Sequence, residues 1–213
     1  MRTIMISKFK LLRYWELGTR CCKVELPRIS VTCSKDFSDN FVACVRACGL
    51  RVAKPDELVD VRKLAIDLIS PQVMPLAGLH MVLRRTRCGI LVFEEAGGVL
   101  TGTLALARLT DKGYEALLAG GFNPLAPVAK HYARPGDPAS AVYVLAGAAR
   151  SREAARAVVT ACTRLQETVM AELPFFGRAV TAAGLRVLTE RMHWSETANG
   201  LLWSPPRSKE RAE

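Results

Sequence analysis

Ser140-Ala141-Val142-Tyr143-Val144-Leu145-Ala146-Gly147-Ala148-Ala149-Arg150-Ser151-Arg152-Glu153-Ala154-Ala155-Arg156 joins three different signals in one short run. Ala141 to Ala146 is a compact apolar run, which predicts a buried strand. Gly147-Ala148-Ala149 reads as a small, flexible joint, and Arg150-Ser151-Arg152 as a basic turn. From Glu153 to about Met170 the spacing predicts a long helix. A strand that turns tightly into a helix is a phosphate-binding arrangement. The unpartnered N–H groups of the first helical turn and the positive end of the helix dipole point the same way. Arg150 and Arg152 add charge at that spot.

Upstream, Gly89 to Glu94 predicts a strand, Ala96-Gly97-Gly98 a hairpin turn and Val99 to Leu109 the returning strand. Before the hairpin, Pro55 opens a helix with Leu58, Val61, Ala65, Leu68 and Ile69 at helical spacing. Pro75 to Leu83 predicts a second helix, with Arg84, Arg85 and Arg87 as its basic exit. After the hairpin come a short helix over Asp111 to Ala119 and a Pro- and Gly-rich loop over Phe122 to Pro138. Downstream of the central helix, the reading gives a strand over Gly177 to Val180, a helix over Ala182 to Met192 and a last strand over Gly200 to Trp203.

Residues 1–54 are more weakly patterned and Cys-rich. Asn40 to Cys48 reads as a short helix and Leu50 to Ala53 as a short strand. The expected organisation is therefore an extension over 1–54, one domain over 55–204 and a charged tail over 205–213. Eleven Lys/Arg face four Asp/Glu in residues 1–54, within a formal charge of +10. Such asymmetry suits an anionic partner or simply a solvated basic surface. No apolar run is long enough to cross a bilayer, so a soluble chain without a membrane partner is expected. Five of the seven cysteines lie in the first 48 residues. Without a signal-peptide pattern they fit reduced thiols in a cytoplasm. Cys44 and Cys48 have the spacing of half a zinc knuckle, but the adjacent Cys21 and Cys22 make a poor second half, and no metal site is expected.

Two helices, a hairpin, a strand–turn–helix, then strand, helix and final strand: this order over about Pro55 to Trp203 resembles the GNAT superfamily of acyl-CoA-dependent N-acyltransferases. Arg150-Ser151-Arg152-Glu153-Ala154-Ala155 is similar to that family's turn, Arg/Gln-x-x-Gly-x-Gly/Ala, with Glu153 where the first glycine stands. Ala182 to Trp194 resembles its last helix, with Thr189 where a tyrosine often acts as general acid. The resemblance implies an α/β fold with a mixed central sheet flanked by helices. It also implies transfer of an acetyl or other acyl group from acetyl-CoA or another acyl-CoA to an amine, on a small molecule or a protein. Leu145, Ala146 and Gly147 would then present backbone groups to the thioester. Arg150, Arg152, Ala154 and Ala155 would hold the pyrophosphate.

Such a reaction needs a base for the incoming ammonium, and Glu94 and Glu95 at the hairpin are the candidates. His131 and Tyr132 lie in the loop that would line the cleft. Two other readings stand beside this one. A GNAT-like binding module without turnover is favoured by Glu153 and Thr189. A nucleic-acid-binding protein is favoured only by the basic front and tail; aromatics are not interleaved with the basic residues, which argues against it. The Gly-x-Ser-x-Gly, Walker and His-Glu-x-x-His patterns do not occur.

Overall fold

The computed structural model describes residues 35–197 and 200–206. Residues 1–34, with Cys21, Cys22 and Cys33, residues 198–199 and the tail from 207 onward lie outside the described residues. The described chain builds a seven-stranded mixed sheet and six α-helices. In order these are α1 (Lys35–Ala47), β1 (Leu50–Val52), α2 (Leu58–Leu68), α3 (Leu76–Thr86), β2 (Ile90–Glu94), β3 (Leu100–Leu109), α4 (Asp111–Leu118), β4 (Ala141–Ala149), α5 (Arg152–Glu167), β5 (Phe175–Gly177), α6 (Ala182–Arg186), β6 (Ser195–Glu196) and β7 (Leu202–Ser204). The strands lie in the order β1-β2-β3-β4-β5-β7-β6. Only β4 and β5 pair in parallel; the other neighbours are antiparallel. Parallel neighbours need a crossover, and α5 supplies it.

The sheet has a core on each face. On one face α5 buries Ala154, Ala157, Val158, Ala161, Cys162 and Leu165 against Leu91, Leu104 and Val142. That spacing is one continuous helical stripe, which is why the helix lies flat on the sheet. α1 packs into the same core through Phe41 and Val45, both fully buried. It starts earlier than the sequence pattern suggests and ends where Gly49 takes a positive φ. On the other face α2 and α3 bury Leu58, Val61, Leu79 and Val82 against Ile90, Val92, Ala105 and Ala107. Tyr114, Tyr132, Tyr143 and Phe176 extend that core toward β5.

Several elements differ from their expected extents. The central strand runs on through Gly147-Ala148-Ala149, the residues read as a flexible joint. β3 is ten residues long and still offers Gly102 as the partner of Ala149. The strand expected over 177–180 instead occupies Phe175–Gly177, whose side chains and backbone pack between β4 and β7. The expected helix over 182–192 is helical for its first turn only and then widens into a π turn, Val187–Arg191. No described helix is long and apolar enough to cross a membrane.

Candidate functional site

β4 is held unequally along its length. Its pairing with β5 covers Val142–Phe175, Tyr143–Phe176 and Val144–Gly177, and stops there. Its pairing with β3 continues to Ala149, with a break in register between Ala105 and Leu106. Ala105 pairs Ala146 and Leu106 pairs Val144, so Leu145 is the extra residue of a β-bulge. Beyond the bulge the strand has, among the described residues, a neighbour on one side only. The backbone of Leu145, Ala146 and Gly147 thus borders a fork between β4 and the chain leaving β5. All three are only partly covered or exposed, although they lie in the middle strand of the sheet.

At the open end of the fork β4 enters α5. Ser151 is the helix N-cap: its hydroxyl accepts from the Ala154 N–H at 3.2 Å, and its carbonyl accepts from the Ala155 N–H at 3.0 Å. Arg152 and Glu153 follow the cap, and among the described residues their N–H groups have no acceptor. Those two amides, with the helix dipole, form the anion-facing end. Ala154 is fully buried. A Cβ added to Gly102 of β3 would stand 2.9 Å from the Ala154 Cβ. The missing side chain at Gly102 is therefore what lets α5 start so close to the sheet.

Arg150 has already found a carboxylate. Its guanidinium donates to Asp67, near the end of α2, at 2.9 Å, and both groups are substantially exposed. This pair ties α2 on one face to the turn that leads to α5 on the other. Arg152, Glu153 and Arg156 remain exposed on the first turns of α5. The structure therefore gathers Leu145, Ala146, Gly147, Arg150, Arg152, Ala154 and Ala155 along one continuous backbone path.

Glu94 and Glu95 lie elsewhere. Ile90 of β2 is level with Ala146, through Ala105, and Glu94 is four residues further along. At about 3.4 Å per residue and about 4.8 Å per strand, Glu94 is about 17 Å from the bulge, on the far side of β3. Arg51 of β1 also holds its carboxylate: Nε donates to Glu94 at 3.0 Å, while the same guanidinium makes two bonds, 2.8 and 2.7 Å, to Glu57. This cluster clamps the 3-10 turn Pro55–Glu57, and with it the start of α2, onto the sheet edge. The bonds from Arg51 hold the Glu57 carboxyl at about 2, well below its ordinary range. The Thr189 hydroxyl is bonded back to its own helix, donating to the Leu185 carbonyl at 2.9 Å.

Two residues not singled out in the sequence border the fork. Tyr143 is buried at its root, and Arg178 is the first residue after β5, exposed. Burial pushes the Tyr143 phenol upward, and the Arg178 guanidinium beside it works in the opposite direction. In the sequence Tyr143 is simply one more residue of an apolar run, and Arg178 lies 35 residues away. His131 and Tyr132 pack around Phe122, which is 6.0 Å from each ring and 5.0 Å from Tyr143, and Tyr132 is fully buried. The Tyr132 hydroxyl is buried without a hydrogen-bond partner among the described residues. Cys162 is inside the core, and burial pushes its thiol up to about 12, so it stays protonated. No group of three or more metal-ligating side chains occurs among the described residues.

Strand order, the parallel β4–β5 pair and the passage from β4 into α5 define an α/β fold with a mixed central sheet flanked by helices. No protein-family model and no curated protein matches the chain. Among solved structures it is similar to one described as histone acetyltransferase HPA2 and related acetyltransferase, from Corynebacterium glutamicum. That match has 14% identity and a TM-score of 0.43, and covers 74% of this chain and 95% of the other. It is also similar to an N-acetyltransferase from Staphylococcus aureus, with 16% identity and a TM-score of 0.41, over 72% of this chain and 96% of the other.

Proposed function

We propose that this chain is an acyl-CoA-dependent N-acyltransferase whose acyl-transfer site is the fork beside β4. One observation carries the reading: β4 keeps its neighbour β3 but loses β5 after Val144, and then feeds directly into the N-terminus of α5. An extended thioester arm takes the place of the missing strand, and its pyrophosphate end meets the first turn of α5. Arg152 and the N–H groups of Arg152 and Glu153 hold that end. Arg150 contributes once it turns from Asp67, and the Ala154 and Ala155 amides are already engaged by Ser151.

In the reaction the neutral amine attacks the thioester carbonyl carbon. The new C–N bond forms, the C–S bond breaks, and the sulfur leaves with the electron pair. The nitrogen loses a proton and the thiolate gains one. The contribution of this chain is to orient the carbonyl and to polarise it with backbone N–H groups of Leu145 to Gly147. Arg178 and Tyr143, at the root of the fork, border the side from which an amine would approach.

A second reading is a module with the same fork but no turnover. Two observations favour it: Glu153 puts a carboxylate in the turn, and the Thr189 hydroxyl is bonded back to its own helix. Titration of the full chain with acetyl-CoA by calorimetry, followed by thiol release in the presence of amines, separates the readings. Saturable binding with amine-dependent thiol release supports transfer. Binding without release favours the module. Absence of binding removes the acyl-CoA reading altogether.

A further inference from the structure

The opposite end of the sheet from the fork holds a cleft of about 530 Å³. Its lining includes Arg84, Arg85, Arg87 and Arg134, with Met81 and Pro135 as apolar wall. Measured along β4, from Ala149 back to Ala141, the two ends are about 25 Å apart. The cleft is open to solvent, and its volume falls within the range of small-ligand sites, about 300–1,000 Å³.

The arginines are placed by their surroundings. Arg85 Nε donates to the Tyr132 carbonyl at 2.9 Å. Arg134 begins a tight turn, Arg134-Pro135-Gly136-Asp137, in which Gly136 has φ +88° and the Asp137 N–H donates to the Arg134 carbonyl at 3.1 Å. Pro followed by a positive-φ Gly fixes this turn. The Asp137 carboxylate closes it by accepting from the Arg134 N–H at 2.9 Å, and buried Arg108 donates to the Asp137 carbonyl at 2.6 Å. Arg87 ends α3 in the left-handed region, at φ 60°, a position that favours glycine.

Countercharge is scarce. Asp137 stands 4.0 Å from Arg85. Among the described residues no carboxylate pairs with Arg84, Arg87 or Arg134. Like charges gathered in one concave site repel one another, and guanidinium forks match phosphate oxygens in geometry. We infer that this cleft binds a compact oligophosphate group, at a site separate from the fork. The apolar wall of Met81 and Pro135 suits an ester group carried on that phosphate.

The test is calorimetric titration of the full chain with inorganic tripolyphosphate, at moderate salt. Saturable one-to-one binding is expected. Arg84→Gln with Arg87→Gln weakens it by at least about tenfold, the scale of losing charge-assisted bonds. A charge-matched double variant, Arg46→Gln with Lys112→Gln, stays within about twofold of the parent, and Arg150→Gln with Arg152→Gln, at the turn proposed to hold pyrophosphate, tells this cleft from that turn. Equal losses in all three variants would show diffuse charge instead of a site. Loss only in the Arg150 and Arg152 variant would place the phosphate at α5, and absence of saturable binding would also overturn the inference. So would retention of a single-stranded oligonucleotide that tripolyphosphate does not displace. Acetyl-CoA affinity unchanged by the Arg84 and Arg87 substitutions keeps this result independent of the proposed acyl transfer.

Discussion

The two halves of β4 differ in their neighbours far more than in their composition. Ala141 to Val144 lies between β3 and β5, with Val142 fully buried. Leu145 to Ala149 is equally apolar, yet among the described residues it is paired on one side only and Gly147 is exposed. What separates the halves is the length of β5, three residues against the nine of β4, together with one extra residue at Leu145. A binding edge can thus be made in the middle of a sheet by ending the neighbour early.

The largest effect should come from the closed half. Phe175 is fully buried in β5 and meets Trp194 edge-on at 6.2 Å. Phe175→Ala should cost about 3–5 kcal/mol of stability, read from urea unfolding. A loss below about 1 kcal/mol would mean that the closed half is not tightly packed. At the open half, Gly102→Val should cost about 1–3 kcal/mol and also weaken acetyl-CoA binding, because the start of α5 must move off β3. Stability lost with affinity intact would show that the Gly102 contact does not set the turn.

Acid tests the clamp on α2, which covers both halves of β4 from one face. The folded-state value of Glu57 is depressed from 4.5 to about 2, so its contribution is complete above about pH 4.5 and is lost as pH falls toward 2. With Arg51 one-third exposed, solvent screening brings that contribution to about 1–2 kcal/mol. The stability difference between the parent and Glu57→Gln should therefore shrink as urea unfolding is repeated at lower pH. A difference that does not vary with pH would remove Arg51–Glu57 pairing as its source. The smallest effect is at the turn. Glu153→Gln should tighten acetyl-CoA by about two- to fivefold, the scale of one charge at a helix N-terminus. Unchanged or weaker binding would show that the carboxylate does not face the ligand.

Most of the frame was legible in the sequence because it depends on local patterns. The hairpin was written in Gly97 and Gly98, both at positive φ, and α5 in its unbroken apolar stripe. The fork was not legible, because it depends on where β5 ends relative to β4. Phe175-Phe176-Gly177 is a strand because its neighbours accept it on both sides, and Arg178 to Val180, which the sequence also offered as strand, is not paired. Side-chain partners were equally hidden. Nothing local shows that Arg51 would take Glu94, 43 residues away, or that Arg150 would take Asp67, 83 residues away. The path from Leu145 to Ala155 was legible as a unit because it is continuous in the chain.

The bulge at Leu145 makes this strand sensitive to arithmetic. Before it, the even-numbered Val142 and Val144 face α5; after it, the odd-numbered Gly147 and Ala149 do, while Leu145 and Ala146 both face the other core. Loss of a single codon at Leu145 would restore strict alternation, leave every later residue on the face it has now, and erase the bulge that borders the fork. Most replacements of Leu145 by another residue leave the count intact, so at this position heredity must preserve number more strictly than identity.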